Sequence, residues 1–355
     1  MMRKIFNALN GPQTIGNGRA FWIAFAVVLA AVLAYPLGAD PYDVGNTAYF
    51  AIYIFMALGL SLMWGYTGVM SFGQTAFFGI AGYSYGVIAI NTSASGAMTI
   101  VSLLCGVGLA ALFAAVLGYF MIYGRVSGVF FGIVTFATTL ALAAFMHQTA
   151  GPEWKIGKAR FNGFNGMGGM PPLELPWFDK PIYLEGTTLY YFVIFLLLAV
   201  YLSLRVLVNG RFGNVLVAIR EEPLRAELLG YDVRKYQLAV FVIGSALAGL
   251  SGGLYTAWGQ FITPASMGLP AAAMPIVWVA FSGRSDLTAT LIGTFAVLLT
   301  FQTITIYSQQ YALVLMGVVL LFTVLFMPTG FMVEVGRLVQ RLHGGITRRS
   351  GVGRR

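Results

Sequence analysis

Ten long runs of this chain carry almost no charge, and that pattern leaves it one kind of architecture. They cover residues 20–38, 46–64, 71–90, 98–121, 127–148, 188–208, 237–257, 270–283, 287–306 and 311–328. Crossing ~30 Å of hydrocarbon takes roughly 20 apolar residues in an α-helix, because lipid offers no partner to an unpaired backbone group. At 58% hydrophobic and 9% charged residues, the chain lies far below the roughly 25% charge of soluble domains. The expectation is an all-α integral membrane protein of about ten transmembrane helices. The runs are continuous rather than alternating in polarity, which argues against a transmembrane β-barrel. The eighth run is short for a full span and the third follows a glycine break, so both are candidates for broken or re-entrant segments.

Cation placement predicts orientation. With a cytoplasmic N-terminus and ten crossings, one side receives 17 of the 21 Lys and Arg residues. Lys155, Lys158, Arg160 and Lys180 remain on the other side, all in one loop, 149–187. The expected organisation is a cytoplasmic segment 1–19, a membrane domain 20–330 and a basic cytoplasmic tail 331–355. Loop 149–187 is then extracytoplasmic and loop 209–236 cytoplasmic, in the plasma (bacterial inner) membrane. The net charge of +9 follows from this bias and from anionic lipid, so no nucleic-acid partner is expected.

Covalent chemistry finds little material. The single cysteine, Cys105, sits in an apolar run and reads as a small buried hydrophobe; it excludes an intramolecular disulfide and a thiolate metal cluster. The two histidines, His147 and His343, have no acid beside them in sequence. No phosphate loop of the form GxxxxGK[ST] occurs, so the chain is expected to need no cofactor and to have no ATP site of its own. Every charge in the ten runs lies at an end. That weighs against a catalytic cluster and against an ion-coupled carrier, the alternative reading, since such carriers usually hold ionisable groups at membrane depth.

One stretch breaks the apolar pattern. Residues 209–236 hold Arg211, Arg220, Glu221, Glu222, Arg225, Glu227, Asp232, Arg234 and Lys235, nine of the chain's 33 charged residues. Within it Arg220 to Gly230 reads as one short amphipathic helix, with Pro223 in the first turn and Gly230 just past the end. Glu221 and Arg225 stand at i, i+4, and Leu224, Leu228 and Leu229 share another side. A helix lying on lipid would show a basic polar face, whereas acids and bases alternate here, which suits a protein partner better.

These residues carry a resemblance. Arg211-Phe212-Gly213, Ala218-Ile219-Arg220-Glu221 and Ala226-Glu227-Leu228-Leu229-Gly230 resemble the cytoplasmic loop of permease subunits of ATP-binding-cassette importers in the branched-chain amino acid group. Trp64 to Gln74, with Gly65-Tyr66-Thr67-Gly68 and Ser71-Phe72-Gly73, is similar to that group's element between the second and third spans. Ser245 to Tyr255 resembles the span after the loop, and the three matches occur in the family's order between about Ala57 and Tyr255. The resemblance implies a type II-like importer permease. Its partners would be two ATP-binding-cassette ATPase subunits, a second related permease and an extracytoplasmic solute-binding protein. Residues Arg220, Glu221, Glu222, Arg225, Glu227 and Gly230 would couple to the ATPases. The solutes implied are branched-chain or other hydrophobic amino acids, or small polar solutes such as urea and short amides.

Gly65, Gly68 and Gly73 either relax helical geometry where backbone lines a cavity or make a tight turn. In the first case Tyr66, Thr67, Ser71 and Gln74 supply donors and acceptors to a polar solute, with Gln74 the leading candidate. Thr138, on a hydroxyl run with Thr135 and Thr139, is a further path candidate, although threonine also bonds back to its own helix. Glycines spaced by four, such as Gly249 and Gly253, read as helix-packing contacts. The segment Asn162 to Pro172 resembles the outer region on which a binding protein lands. Gly65-Tyr66-Thr67-Gly68 and Gly249-Leu250-Ser251-Gly252 share a pattern that raises an inverted repeat as a possible architecture.

Overall fold

The computed structural model describes residues 9–92, 98–176, 182–327, 330, 331, 333 and 334. Arg3, Lys4, Asp179, Lys180 and nearly all of the basic tail with His343 lie outside the described residues. Each apolar run is a helix: α1 (Arg19–Ala34), α2 (Pro41–Thr67), α3 (Gln74–Thr92), α4 (Met98–Tyr123), α5 (Gly128–Gln148), α6 (Gly186–Asn209), α9 (Val233–Gly259), α10 (Leu269–Ser282), α11 (Leu287–Tyr307) and α12 (Gln309–Phe326). Between α6 and α9 the charged stretch forms two short helices, α7 (Arg211–Glu221) and α8 (Pro223–Leu228). Seven of the helices are long and apolar enough to cross a membrane, so the chain is a multi-pass, all-α membrane protein. Helix α10 has 14 residues with Pro275 inside it, shorter than a full span, as its sequence length implied.

Helix α2 is the axis of the bundle. Most of its apolar stretch is enclosed, and α9, α6, α11 and α10 pack around it. Lipid gives helices no hydrophobic drive to associate, so close approach must come from small residues. A Cβ on Gly59 would stand 2.4 Å from the carbonyl oxygen of Gly244, and one on Gly252 would stand 2.0 Å from that of Phe78. The glycines of α9 thus set its separation from both α2 and α3. Helices α4, α5 and α12 turn large apolar side chains outward, among them Leu104, Leu112, Phe120, Phe130 and Leu321. Cys105 faces outward with them. The expectation that it is buried is corrected here: the outer face of a membrane helix is solvated by lipid, so an apolar residue there needs no protein cover.

The two ends of the bundle differ. At one end lie α7 and α8, with the ends of α2 and α6 and the starts of α9 and α11. At the other, three small antiparallel strand pairs cover the helix ends. Strands β1 (Lys155–Ile156) and β2 (Ala159–Arg160) form a hairpin. Strand β3 (Met167–Gly168) pairs with β6 (Phe261–Ile262), which follows α9. Strand β4 (Leu173–Leu175) pairs with β5 (Ile182–Leu184). Met167, Met170 and Leu173 are buried beneath this cover, so the long loop is a folded cap.

The proposed glycine repeat does not correspond in structure. Gly68 ends α2 in a left-handed conformation at φ 75°, whereas Gly249 to Gly252 lie inside the unbroken helix α9.

Candidate functional site

Helices α7 and α8 build the charged end's exposed surface. Sequence periodicity suggested one helix across Arg220 to Gly230; instead the backbone extends at Glu222 (φ −153°, ψ 90°) and restarts with Pro223 at the first turn. Proline disfavours helical geometry in the residue before it, which explains a break at that position. The Glu221–Arg225 pairing is therefore not made, and Glu221 instead takes the Nε of Arg220 at 3.0 Å. Helix α8 ends as expected at Gly230, φ 89°. The Gly230 amide donates to Glu227 O at 2.9 Å and the Tyr231 amide to Ala226 O at 3.2 Å, the paired bonds of a Schellman motif.

Only one side chain of α8 turns inward. Ala226 packs with Val215, Ile219 and Val233 in a small cluster separate from the main core. Leu224, Leu228 and Leu229 are 64%, 81% and 71% exposed, and Glu221, Glu222, Arg225 and Glu227 surround them, also exposed. Three adjacent leucines presented to water among charges of both signs give this surface an apolar centre and a polar rim. Arg220 behaves differently from the rest of the group. Its Nη1 donates to the carbonyl oxygen of Gly65 at 2.7 Å, joining α7 to the end of α2.

The principal cavity, about 590 Å³, lies toward the capped end between α2, α3, α9, α10 and α11. It runs along α2 from Asn46 to Met56, a span of about 15 Å at 1.5 Å per helical residue. Tyr49, Tyr53, Phe78, Trp258 and Trp278 form much of its wall. Tyr53 stacks on Phe78 at 5.8 Å, and Tyr49 meets Trp258 at 5.0 Å between ring centres. Asn46, Thr75, Ser266, Gln302 and Thr305 are its polar groups, and none of the lining residues carries a charge. Such a chamber accepts an apolar or uncharged polar body and fixes it with few hydrogen bonds.

The polar residues singled out between α2 and α3 do not line this cavity. Tyr66 donates its hydroxyl to Gln13 O at 3.0 Å, and Thr67 donates to Met63 O at 2.6 Å. Ser71 Oγ accepts the Gly73 amide at 3.1 Å. Thr138 bonds back to Val134 O at 2.8 Å, while Thr135 accepts the Phe72 amide at 3.1 Å and so staples the turn to α5. Gln74 is nearer to the chamber. It opens α3 one position before the lining residue Thr75, donates to Met63 Sδ at 3.2 Å, and holds its Oε1 buried without a protein partner among the described residues.

Arg205, at the end of the run 188–208, has a role that only the fold reveals. It is 0% exposed and the largest fully buried side chain described. The guanidinium donates to Leu9 O at 2.7 Å, Tyr201 Oη at 2.8 Å and Thr288 Oγ1 at 3.2 Å, as well as to Gly16 O. It also lies over the rings of Phe21 and Trp22. Asp286, at the N-cap of α11, accepts the Ala289 amide at 2.7 Å and also the Ile15 amide. Burial pushes the Asp286 carboxyl above the usual carboxylate range, against the opposing pull of those amides and of Arg205. An arginine in the last turn of an apolar run, one turn after Tyr201, was the visible sequence signal; its partners are too distant in the chain to be read there.

The chain was also compared with known proteins. The family described as "Branched-chain amino acid transport system / permease component" matches residues 44–324. The chain is 24% identical to the high-affinity branched-chain amino acid transport system permease protein LivM of Escherichia coli (strain K12), over 93% of this chain and 80% of that protein. It is 23% identical to the probable branched-chain amino acid transport permease protein LivM of Methanocaldococcus jannaschii, over 81% of this chain and 92% of the relative. No solved structure matches the chain. These relatives are transport permease components rather than enzymes, and the chain itself belongs to the permease-component family of branched-chain amino acid transport systems.

Proposed function

We propose that this chain is one of two permeases forming the path of an ATP-binding-cassette importer. Two separate ATPase subunits dock on α7 and α8, and a solute-binding protein delivers cargo at the capped end. The observation that carries the reading is the exposed cluster Leu224, Leu228 and Leu229 inside the charged rim of Glu221, Glu222, Arg225 and Glu227. An apolar centre left open to water on the wettest part of a membrane protein is costly unless a partner covers it. Arg220 then serves as a strut, passing force from the docked pair to α2 through Gly65, and Gly230 supplies the left-handed end that α8 needs.

The cargo passes through the chamber between α2 and α11. Its aromatic walls and uncharged polar groups suit a hydrophobic amino acid, with urea and short amides as the smaller solutes the same groups would hold. Gln74 stays in the proposed path because its buried oxygen has no protein partner among the described residues and the next residue in the chain, Thr75, lines the chamber. Tyr66, Thr67, Ser71 and Thr138 are assigned to structure, their hydroxyls being engaged by backbone. Docking of the ATPases makes the charged end cytoplasmic, in agreement with the cation bias, and places the protein in the plasma (bacterial inner) membrane.

The test is reconstitution in vesicles with the ATPases, the second permease and the binding protein. Glu227→Lys and Leu228→Asp should each remove cargo-stimulated ATP hydrolysis while leaving membrane insertion intact. Normal stimulation in both variants would overturn the docking role. Uphill accumulation by vesicles holding this polypeptide alone would favour an ion-coupled carrier instead.

A further inference from the structure

Residues 9–18 cross the charged end as an irregular strap, and the contacts that hold it come from four different helices. Helix α2 contributes the Tyr66 hydroxyl, which donates to Gln13 O. Helix α6 contributes Arg205 and Asn209. Arg205 reaches Leu9 O and Gly16 O. Asn209 accepts the Gln13 amide at 2.9 Å and donates to Thr14 Oγ1 at 3.1 Å. Helix α7 contributes Asn214, whose Oδ1 takes the Gln13 side-chain amide at 3.5 Å. Helix α11 contributes Asp286 at its cap, on the Ile15 amide, and Thr288 beside Arg205. The strap is tightly packed at two glycines, since a Cβ on Gly11 would stand 2.5 Å from Asn209 Oδ1 and one on Gly16 would stand 2.1 Å from the Phe21 ring.

We infer that this strap, gripped by Arg205, is a rigid tie that carries movement of the α7–α8 docking pair to the ends of α2 and α11, two of the five helices that line the chamber. Arg205 is a positioning residue in this scheme, because it acts on the cargo path only through the strap. The grip is built to stay closed. Withdrawing one partner from a buried, multiply hydrogen-bonded charge is strongly unfavourable, so a device that released Arg205 in every cycle would work against its own wiring. With Arg220 on Gly65 as one link and the strap as the second, α7 is connected twice to α2 and once to α11. A docked partner that displaces α7 therefore displaces two of the walls of the path together.

The inference rests on α7 and α8 being the surface on which the ATPases dock, and the experiment separates the two. Uptake and ATP hydrolysis are measured in the same vesicles holding the full assembly. Arg205→Ala should leave stimulated hydrolysis near the unaltered level while uptake falls at least about tenfold, a loss within the usual range of coupling between sites. Arg205→Lys should not rescue uptake, because a single ammonium cannot replace a planar fork of five donors. If Arg205→Ala does not accumulate in the membrane, Tyr66→Phe combined with Asn209→Ala removes strap bonds without leaving a buried charge, and should show the same split. In a Cys105→Ala background, Thr14→Cys paired with Asn209→Cys should transport better when cross-linked than when reduced, because the cross-link replaces the strap bonds that the Asn209 substitution removes.

An equal fall of hydrolysis and uptake in the strap variants would overturn the tie and reduce the strap to packing. Loss of transport on cross-linking, restored by reductant, would also overturn it, since the strap would then have to open. If hydrolysis by the unaltered assembly ignores this chain altogether, the docking assignment fails rather than the tie.

Discussion

Arg205 ends an apolar run and Arg220 lies in the charged stretch that follows it, and the fold uses them for different connections. Arg220 is half-buried and reaches one carbonyl, that of Gly65, while keeping Glu221 as a surface partner. A second constraint acts at Gly65, where a Cβ would stand 1.8 Å from Arg284 O. Overpacking a close backbone contact of this kind typically costs about 1–3 kcal/mol. Gly65→Ala should accordingly lower the thermal midpoint of the purified protein in detergent; an unchanged midpoint would mean that α2 and the α10–α11 turn can separate freely. Single residues of this type were partly legible. The glycine-rich element was visible as an anomaly, but its choice between cavity lining and close packing depended on Arg284, more than two hundred positions away.

At the scale of elements, α8 shows how local chemistry and tertiary context divide the work. Pro223 and Gly230 mark both ends in the sequence, and both serve as ends in the structure. The start was misjudged by three residues because Arg220 to Glu222 have good helix propensity, and the break at Glu222 is imposed by the following proline. Gly230→Val would force a β-branched residue to φ 89°, a conformation open mainly to glycine. That variant should insert normally and show weakened stimulation of ATP hydrolysis, because the Schellman bonds that aim Leu228 and Leu229 would be lost. Equal stimulation would show that the orientation of this end is unimportant for docking. The cap over the other end was less legible. Its strands have two or three residues each, too short for periodicity, and β3 finds its partner β6 across α6 to α9.

For the whole molecule, the chamber and the two unlike ends generate separate predictions. Asn46→Trp and Thr305→Trp place bulk at the upper part of the chamber, away from α7 and α8. Each should depress uptake by at least about tenfold, roughly 1.4 kcal/mol, with the docking pair still supporting hydrolysis. Undiminished uptake in both would move the path elsewhere. Orientation is checked by cysteine labelling in a Cys105→Ala background. Leu228→Cys should react with an impermeant maleimide only from the cytoplasmic side, and Phe164→Cys, on the exposed cap, only from the outside. The opposite accessibility would reverse the orientation derived from cation bias.

What the sequence determined by itself was whatever depends on transfer from water to lipid and on local backbone chemistry. Apolar run length settled the class and the helix positions, and proline and glycine marked the two ends of α8, because these effects need only neighbours in the chain. The glycines of α9 were legible as packing residues, but not which helices they would admit. The chamber, the strap and the task of Arg205 were decided by tertiary structure alone. Each joins groups from helices far apart in sequence, where polar side chains can exchange partners without altering composition or period. A threonine that faces cargo and one that bonds its own helix read alike until the neighbouring helices are in place.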